Sequence, residues 1–359
     1  MPRHGKPRRV EEPVERLRQP HGAMGRDSFP TRYPPGLMRD GLAALDSLDL
    51  NLSDGNLAAL HLILGFVMFG VALGITWDDL VWVLRRPRFV LVGLAGQLVL
   101  LPAATVALVA VLHPWLTPGV AMGMILVACC PGGNVSNFMV HLAKGNAALS
   151  VGLTALSTAG ALVFTPLNFA VWGQVYTRWI LADGANPFLR ALEIDPLEVG
   201  RVVLLLLGVP LALGMLTARY APRLAARLET PIRFASIGLF AVIVAVAFGK
   251  NLDAFVAHIA ALFPIVGLHN ALALGLGWMW ARGVGLERRE RKTLSIEVGI
   301  QNSGLALVLL LNPLLFPATL PLGGMAAIAA WWGIWHIVSG LGVAMWWRQR
   351  TPEPVPVAA

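Results

Sequence analysis

Charge is what this sequence has least of. Only 13% of its 359 residues are Asp, Glu, Lys or Arg, against 56% hydrophobic. A soluble domain carries about a quarter charged residues, so a water-soluble globule is excluded and several membrane spans are expected. Cysteine is nearly missing too. The two present, Cys129 and Cys130, are adjacent. Neighbouring thiols cannot staple distant segments and lack metal-ligand spacing, so no disulfide framework is expected and both read as small apolar helix residues. The excess of 28 basic over 20 acidic residues is no nucleic-acid footprint. The arginines sit in short stretches between apolar runs, which is a topology signal.

A span needs about 20 mostly apolar residues. Nine runs qualify: 57–75, 89–112, 117–142, 147–173, 199–217, 233–250, 257–281, 292–316 and 323–347. The connections are short, and only 174–198 is long enough for a surface helix. One alternating set of connections carries fifteen basic residues, from Arg85, Arg86 and Arg88 through Lys144 to Arg348 and Arg350. The other carries four: Arg178, Arg190, Arg201 and Lys250. The positive-inside rule puts the richer set in the cytoplasm. An odd span count then places the C-terminus inside and the N-terminus outside. Residues 1–56 are rich in Pro, Arg and Glu and have no apolar signal-peptide core, so a disordered polar tail is expected. Its membrane-proximal part holds Arg39 against Asp40, Asp46, Asp49 and Asp54, which suits the outer side. A tenth span hidden there would be the natural error, but the acids in "DGLAALDSLDLNLSDG" argue against crossing. The expected organisation is this tail, a transmembrane domain over 57–348 and a short tail over 349–359.

Two of the runs are interrupted. The third contains "CCPGGNVSN", where Pro131, Gly132 and Gly133 end a helix midway across the bilayer. Proline removes a donor and glycine relaxes the backbone. Irregular backbone survives at membrane depth only where it is buried in protein or lines a wet cavity. Read alone, such a stretch could be a mere packing kink. The eighth run carries a second joint, "TLSIEVGIQNSG", over 293–304. There Glu297 is the one carboxylate inside the expected spans. A carboxylate at the bilayer centre costs about 2.5–3.5 kcal/mol on insertion scales and marks a functional site by default. The bland alternative is an interfacial Glu297 near Lys292. Asn302 follows Asn137 by 165 residues, close to half of the apolar portion. Interrupted spans at corresponding positions of two halves point to a secondary transporter built from inverted repeats.

The stretches "CCPGGNVSNFMVHLAKGNAALSVGLTALST" and "RKTLSIEVGIQNSGLAL" resemble the two crossing-helix motifs of the bile acid:sodium symporter family. "ILGFVMFGVALGITWDDL", "AGQLVLLPA", "LHNALALGLG" and "WHIVSGLGVAMWW" look like the same family in the same order, over about 57–348. The resemblance implies an all-α polytopic membrane protein. Its core domain would hold two crossing discontinuous helices, and a panel domain would pack beside it. The chain is similar to nine-helix members, since an apolar first helix is missing. The family binds two sodium ions behind the crossing. Carried over, the first would use Ser136, Asn137, Ser150, Thr154 and Glu297. The second would use Gln97, Glu297, Gln301 and the carbonyls of Val298 and Ile300. Sodium is a hard cation that takes oxygen ligands, as calcium and magnesium do. Ser150 and Thr154, four apart, share a helix face; helix–helix hydrogen bonding is their plain alternative. By analogy the substrate, a small organic anion, would lie near Asn134, Val135, Asn302 and His336. Asn134 stands where some bacterial members have threonine, and Ile337 where they have asparagine. His269 reads as a packed, hydrogen-bonded core histidine.

The expected function is therefore sodium-coupled import of a bile-acid-like, pantoate-like or keto-acid anion by alternating access, in the cell's inner membrane. Proton coupling through Glu297, or uncoupled transport on the same fold, is the near rival. An intramembrane hydrolase built on Ser303 and His336 is remote, because no nucleophile signature surrounds Ser303. A channel would need a continuous polar path, which two polar joints between apolar ends do not supply. Nothing in the sequence sets an oligomeric state.

Overall fold

Long apolar runs without acids leave the backbone no partner but itself, so the chain folds as helices. The computed structural model describes residues 35–48, 54–74, 81, 85–133, 135–181, 201, 204–248, 252–311, 316, 320 and 322–350. Residues 1–34 and 351–359, most of the two expected tails, lie outside them. In chain order the helices are α1 (Pro35–Asp46), α2 (Asp54–Leu73), α3 (Pro87–Leu112), α4 (Pro118–Ala128), α5 (Val135–Leu142) and α6 (Ala147–Val175). They continue with α7 (Val209–Tyr220), α8 (Pro222–Phe248), α9 (Leu252–Gly283), α10 (Arg288–Gly299), α11 (Ser303–Leu310) and α12 (Gly323–Gln349). Proline opens α3, α4 and α8, where its missing N–H costs no helical bond and its fixed φ suits the first turn.

Among the described residues, α3, His258–Gly283 of α9 and α12 are each long and apolar enough to cross a membrane. The bent pair Ala147–Ala161 and Val163–Leu181 makes a fourth if taken as one span. Apolar side chains face outward on these and neighbouring helices, among them Leu62 at 76% and Trp179 at 81% exposure. Such a surface suits lipid, and the chain is an all-α integral membrane protein. The expected spans 117–142 and 292–316 are each divided, into α4 with α5 and α10 with α11. The segments α2, α7 and α8 pack on one another, while α12 packs on α4, α9 and α11, and α9 lies along α10.

The sequence reading left 1–56 without structure, but 35–46 form a helix. Leu42 and Leu45 of α1 are fully buried, against α4, α9 and α12. Asp46, at the end of α1, accepts a hydrogen bond from the Gly119 N–H at 3.0 Å, on the first turn of α4. That position favours a carboxylate, because unpaired N–H groups and the helix dipole both point at it. Burial nevertheless pushes the Asp46 carboxyl up to about 6, with the Gly119, Thr117 and Val120 hydrogen bonds opposing the rise. The apolar spacing of Leu42 and Leu45 was there to be read; the Pro-, Arg- and Glu-rich composition of the whole stretch outweighed it.

Candidate functional site

Each broken helix frees backbone groups that must be paired within the protein, and here the two breaks pair each other. After α4 the chain extends through Pro131 and Gly132; after α10 it extends through Ile300 and Gln301. Gly132 and Gln301 face one another as a single antiparallel bridge. The Gly133 N–H donates to the Ile300 carbonyl at 2.8 Å, and the Asn302 N–H donates to the Pro131 carbonyl at 2.8 Å. A Cβ on Gly133 would lie 3.2 Å from the Gln301 carbonyl oxygen, so glycine lets the strands approach. The side chain of Asn302 then caps α11 by accepting from the Leu305 N–H at 3.0 Å. Asn270 of α9 donates to the Gly299 carbonyl at 2.7 Å, closing the end of α10, and Ser339 of α12 donates to Asn270 at 2.5 Å.

Glu297 sits in the last turn of α10 with no exposed surface. Its interfacial reading does not hold. Lys292 points elsewhere, donating to the Ala143 carbonyl at 2.8 Å. Three hydroxyls surround the carboxylate: Ser136 of α5 at 2.6 Å, and Ser150 and Thr154 of α6 at 2.5 and 3.0 Å. Asn137 completes the group, its side-chain oxygen 2.8 Å from the Ser150 hydroxyl and 3.2 Å from that of Thr154. The donor arithmetic is informative. Each hydroxyl owns one proton, so Ser150 and Thr154 each serve either Glu297 or Asn137, not both. Six oxygens crowd a buried space with three protons to share. No basic side chain among the described residues acts on the carboxylate. A buried charge calls for a partner, and this arrangement has room in its electrostatics for a cation.

A second oxygen-rich corner adjoins the first. Gln97 lies in a short π-helical turn of α3, Gly96–Leu100; such turns recur at functional sites because they turn a side chain out of regular register. Its amide nitrogen donates to the Glu297 carbonyl at 2.8 Å, and that of Gln301 donates to the Val298 carbonyl at 2.8 Å. The side-chain oxygens of both glutamines are buried without a hydrogen-bond donor among the described residues. The Val298 and Ile300 carbonyls each accept one bond and keep a second lone pair.

The structure therefore brings Gln97, Ser136, Asn137, Ser150, Thr154, Glu297, Val298, Ile300 and Gln301 to one place from four helices, α3, α5, α6 and α10, and the break after α10. Of the four residues expected near a substrate, Val135 and Asn302 stand at the starts of α5 and α11. His336 is buried on α12, its Nδ1 without a partner among the described residues. Asn134 lies outside the described residues. His269 is a core histidine, 2.8 Å from the Thr105 hydroxyl and edge-on to Trp332. The sequence reading missed Asn270 and Ser339. An asparagine beside His269 in an apolar run was the available sign.

Comparison with known proteins agrees with this architecture. The model of the sodium bile acid symporter family matches residues 61–258. An uncharacterized sodium-dependent transporter, YocS, of Bacillus subtilis is 32% identical over 292 residues, 81% of this chain and 83% of its own. The probable sodium/metabolite cotransporter BASS1 of Arabidopsis thaliana chloroplasts is 30% identical over 81% of this chain and 67% of its own. The sodium-dependent organic anion transporter of Rattus norvegicus is 31% identical over 68% of this chain and 62% of its own. The family is one of transporters, not enzymes, which removes the hydrolase reading. With a crossing of two broken helices behind which oxygens gather around one buried carboxylate, the chain belongs to the sodium bile acid symporter family.

Proposed function

We propose that the protein is a symporter that couples the entry of a small organic anion to two sodium ions. The observation that carries this is the oxygen excess around Glu297, a fully buried carboxylate with hydroxyl and amide oxygens and no basic partner among the described residues. One sodium would lie among Ser136, Asn137, Ser150, Thr154 and Glu297. The other would lie among Gln97, Gln301, Glu297 and the carbonyls of Val298 and Ile300, where two amide oxygens lack donors among the described residues. Hard oxygen donors suit an alkali cation, and a shared carboxylate offsets one of the two charges. Two sodium ions with one monoanion move net positive charge inward, so gradient and potential both drive uptake. The printed names of the relatives, a sodium/metabolite cotransporter and a sodium-dependent organic anion transporter, fit that chemistry.

The anion would sit at the mouth of the crossing, beside Asn134, Val135, Asn302 and His336. Two half-helices begin there, and their N-termini favour negative charge. Nine spans in inverted repeats, with α2, α7 and α8 in the panel and the broken helices in the core, give alternating access by movement of one against the other. Loop arginines put the C-terminus in the cytoplasm and the N-terminus outside an inner membrane.

The test is uptake by proteoliposomes loaded at constant pH. Candidate anions (bile acids, pantoate and branched keto acids) come first from a thermal-shift screen with and without sodium. Replacing external sodium with choline should reduce uptake to background; uptake that persists and follows a proton gradient would transfer the coupling to protons. A finer check uses Gly132. A Cβ there would lie 2.7 Å from the Gln97 amide nitrogen and 3.2 Å from Glu297 Oε2. Gly132→Ala is expected to push Gln97 off the Glu297 carbonyl and raise the sodium concentration for half-maximal uptake several-fold, with the melting temperature little changed. Sodium titration of purified protein measures it.

A further inference from the structure

We propose that Thr293 and Asn146 are positioning residues for the sodium ligands, forming with Glu290 a polar ladder that fixes α6 against α10; this rests on the ion-site reading above. In a helix, residues three and four apart stack on one face. Glu290, Thr293 and Glu297 therefore form one row on α10, and Asn146, Ser150 and Thr154 form one row on α6. The rows meet rung by rung. Glu290 accepts from the Asn146 side-chain amide at 3.2 Å. The Thr293 hydroxyl accepts from the Asn146 N–H at 2.7 Å and can donate to the Arg289 carbonyl at 3.1 Å. The third rung is Glu297 with Ser150 and Thr154. Asn146 is also the cap of α6, its side-chain oxygen accepting from the Leu149 N–H at 3.1 Å. One residue thus sets where α6 starts and how it registers on α10.

The ladder reaches the other half of the site through the turn between α5 and α6. Lys144 there has φ 55, a left-handed conformation that needs outside support in a non-glycine residue. The first turns of α10 supply it: Arg289 donates to the Gly145 carbonyl at 3.1 Å and Lys292 to that of Ala143 at 2.8 Å. A Cβ on Gly145 would fall 2.9 Å from the Thr293 hydroxyl, so the turn lies flat against α10. Held this way, the turn fixes α5, with Ser136 and Asn137, relative to α6, with Ser150 and Thr154. Thr293 lies four residues below Glu297, about 6 Å along the axis. A slip of α6 against α10 there moves the Ser150 and Thr154 oxygens relative to Glu297.

The experiment needs no transported anion. Intrinsic tryptophan fluorescence and melting temperature of the purified full chain are titrated with sodium chloride against choline chloride at constant ionic strength. Thr293→Val keeps the shape and removes the acceptor; the sodium midpoint should rise about tenfold, and Thr293→Ser should restore it. Asn146→Ser keeps a cap but loses the link to Glu290, and should raise the midpoint about threefold, which covers the case of a valine variant that does not fold. Glu297→Gln is the reference. If it still responds to sodium as wild type does, the ion-site reading falls. If it loses the response while Thr293→Val and Asn146→Ser keep the wild-type midpoint, the ladder alone is overturned. A lower melting temperature in choline with an unmoved sodium midpoint overturns it equally, since that is what mere packing would give.

Discussion

Glu297→Ala should bring sodium-stimulated uptake to background while leaving a folded, monodisperse protein. The carboxylate is fully buried and bonded only to hydroxyls and amides among the described residues. Alanine therefore strands no opposite charge; it leaves Ser136, Ser150 and Thr154 to pair with Asn137 and each other, as Ser136 and Thr154 at 3.4 Å already can. The function is another matter. Two unit charges about 2.5 Å apart at an effective dielectric of about 20 interact by about 7 kcal/mol, and each tenfold in binding is about 1.4 kcal/mol. Even after most of that is offset by restored hydration, a loss of sodium affinity on the order of 100-fold or more is expected. Sodium-dependent uptake in proteoliposomes, beside melting temperature in detergent, measures the two halves of the prediction. Wild-type uptake by this variant would remove Glu297 from the coupling site.

The second large effect lies away from the oxygens. Gly277→Ala on α9 should lower stability by about 1–3 kcal/mol, the usual cost of overpacking, and depress uptake at least tenfold. A Cβ at 277 would stand 2.4 Å from the Leu294 carbonyl oxygen and 2.8 Å from the Ser295 Cα. Both are backbone, so no rotamer change relieves them and α10 must move. The Ser295 hydroxyl, which donates to the Leu274 carbonyl at 2.7 Å, would be carried away, and with it the turn bearing Glu297. Small residues let membrane helices approach this closely. Gly275, two residues earlier and on the other side of the same helix, is the control: among the described residues a Cβ there meets nothing within 4 Å. Alanine at 275 should be neutral or slightly stabilising, by up to about 1 kcal/mol, as it restricts the unfolded backbone. Thermal melting of the pair in one detergent decides it. Equal melting temperatures would mean that α9 and α10 do not touch at 277.

These contrasts show what the sequence could and could not reveal. The two joints were legible because proline, glycine and a carboxylate are costly in lipid and so stand out from an apolar background; that led directly to Pro131, Gly132, Gly133 and Glu297. Ser150 and Thr154 were legible as a pair through their spacing, and Gln97 through family resemblance. Nothing in the pattern distinguished Asn270, Thr293 or Asn146 from ordinary polar residues near helix ends, because their role exists only once α9, α6 and α10 are side by side. The close passage at Gly277 was hidden for the same reason: glycine is common in membrane helices, and 275 and 277 look alike until a neighbour is placed. The helix over 35–46 was not expected because the segment was weighed with the Pro-, Arg- and Glu-rich stretch before it; Leu42 and Leu45 are buried, and Asp46 accepts from the first turn of α4.

The hydrogen bonds that tie the two joints together have a consequence for how such a transporter can change. Their donors and acceptors are main-chain atoms of Pro131, Gly133, Ile300 and Asn302. Swapping one side chain for another leaves that knot tied, unless it adds a Cβ at Gly133, 3.2 Å from the Gln301 carbonyl oxygen, or puts proline at 302, which deletes a donor. Side chains rimming the crossing can therefore vary without undoing the main-chain pairing that holds the two breaks together.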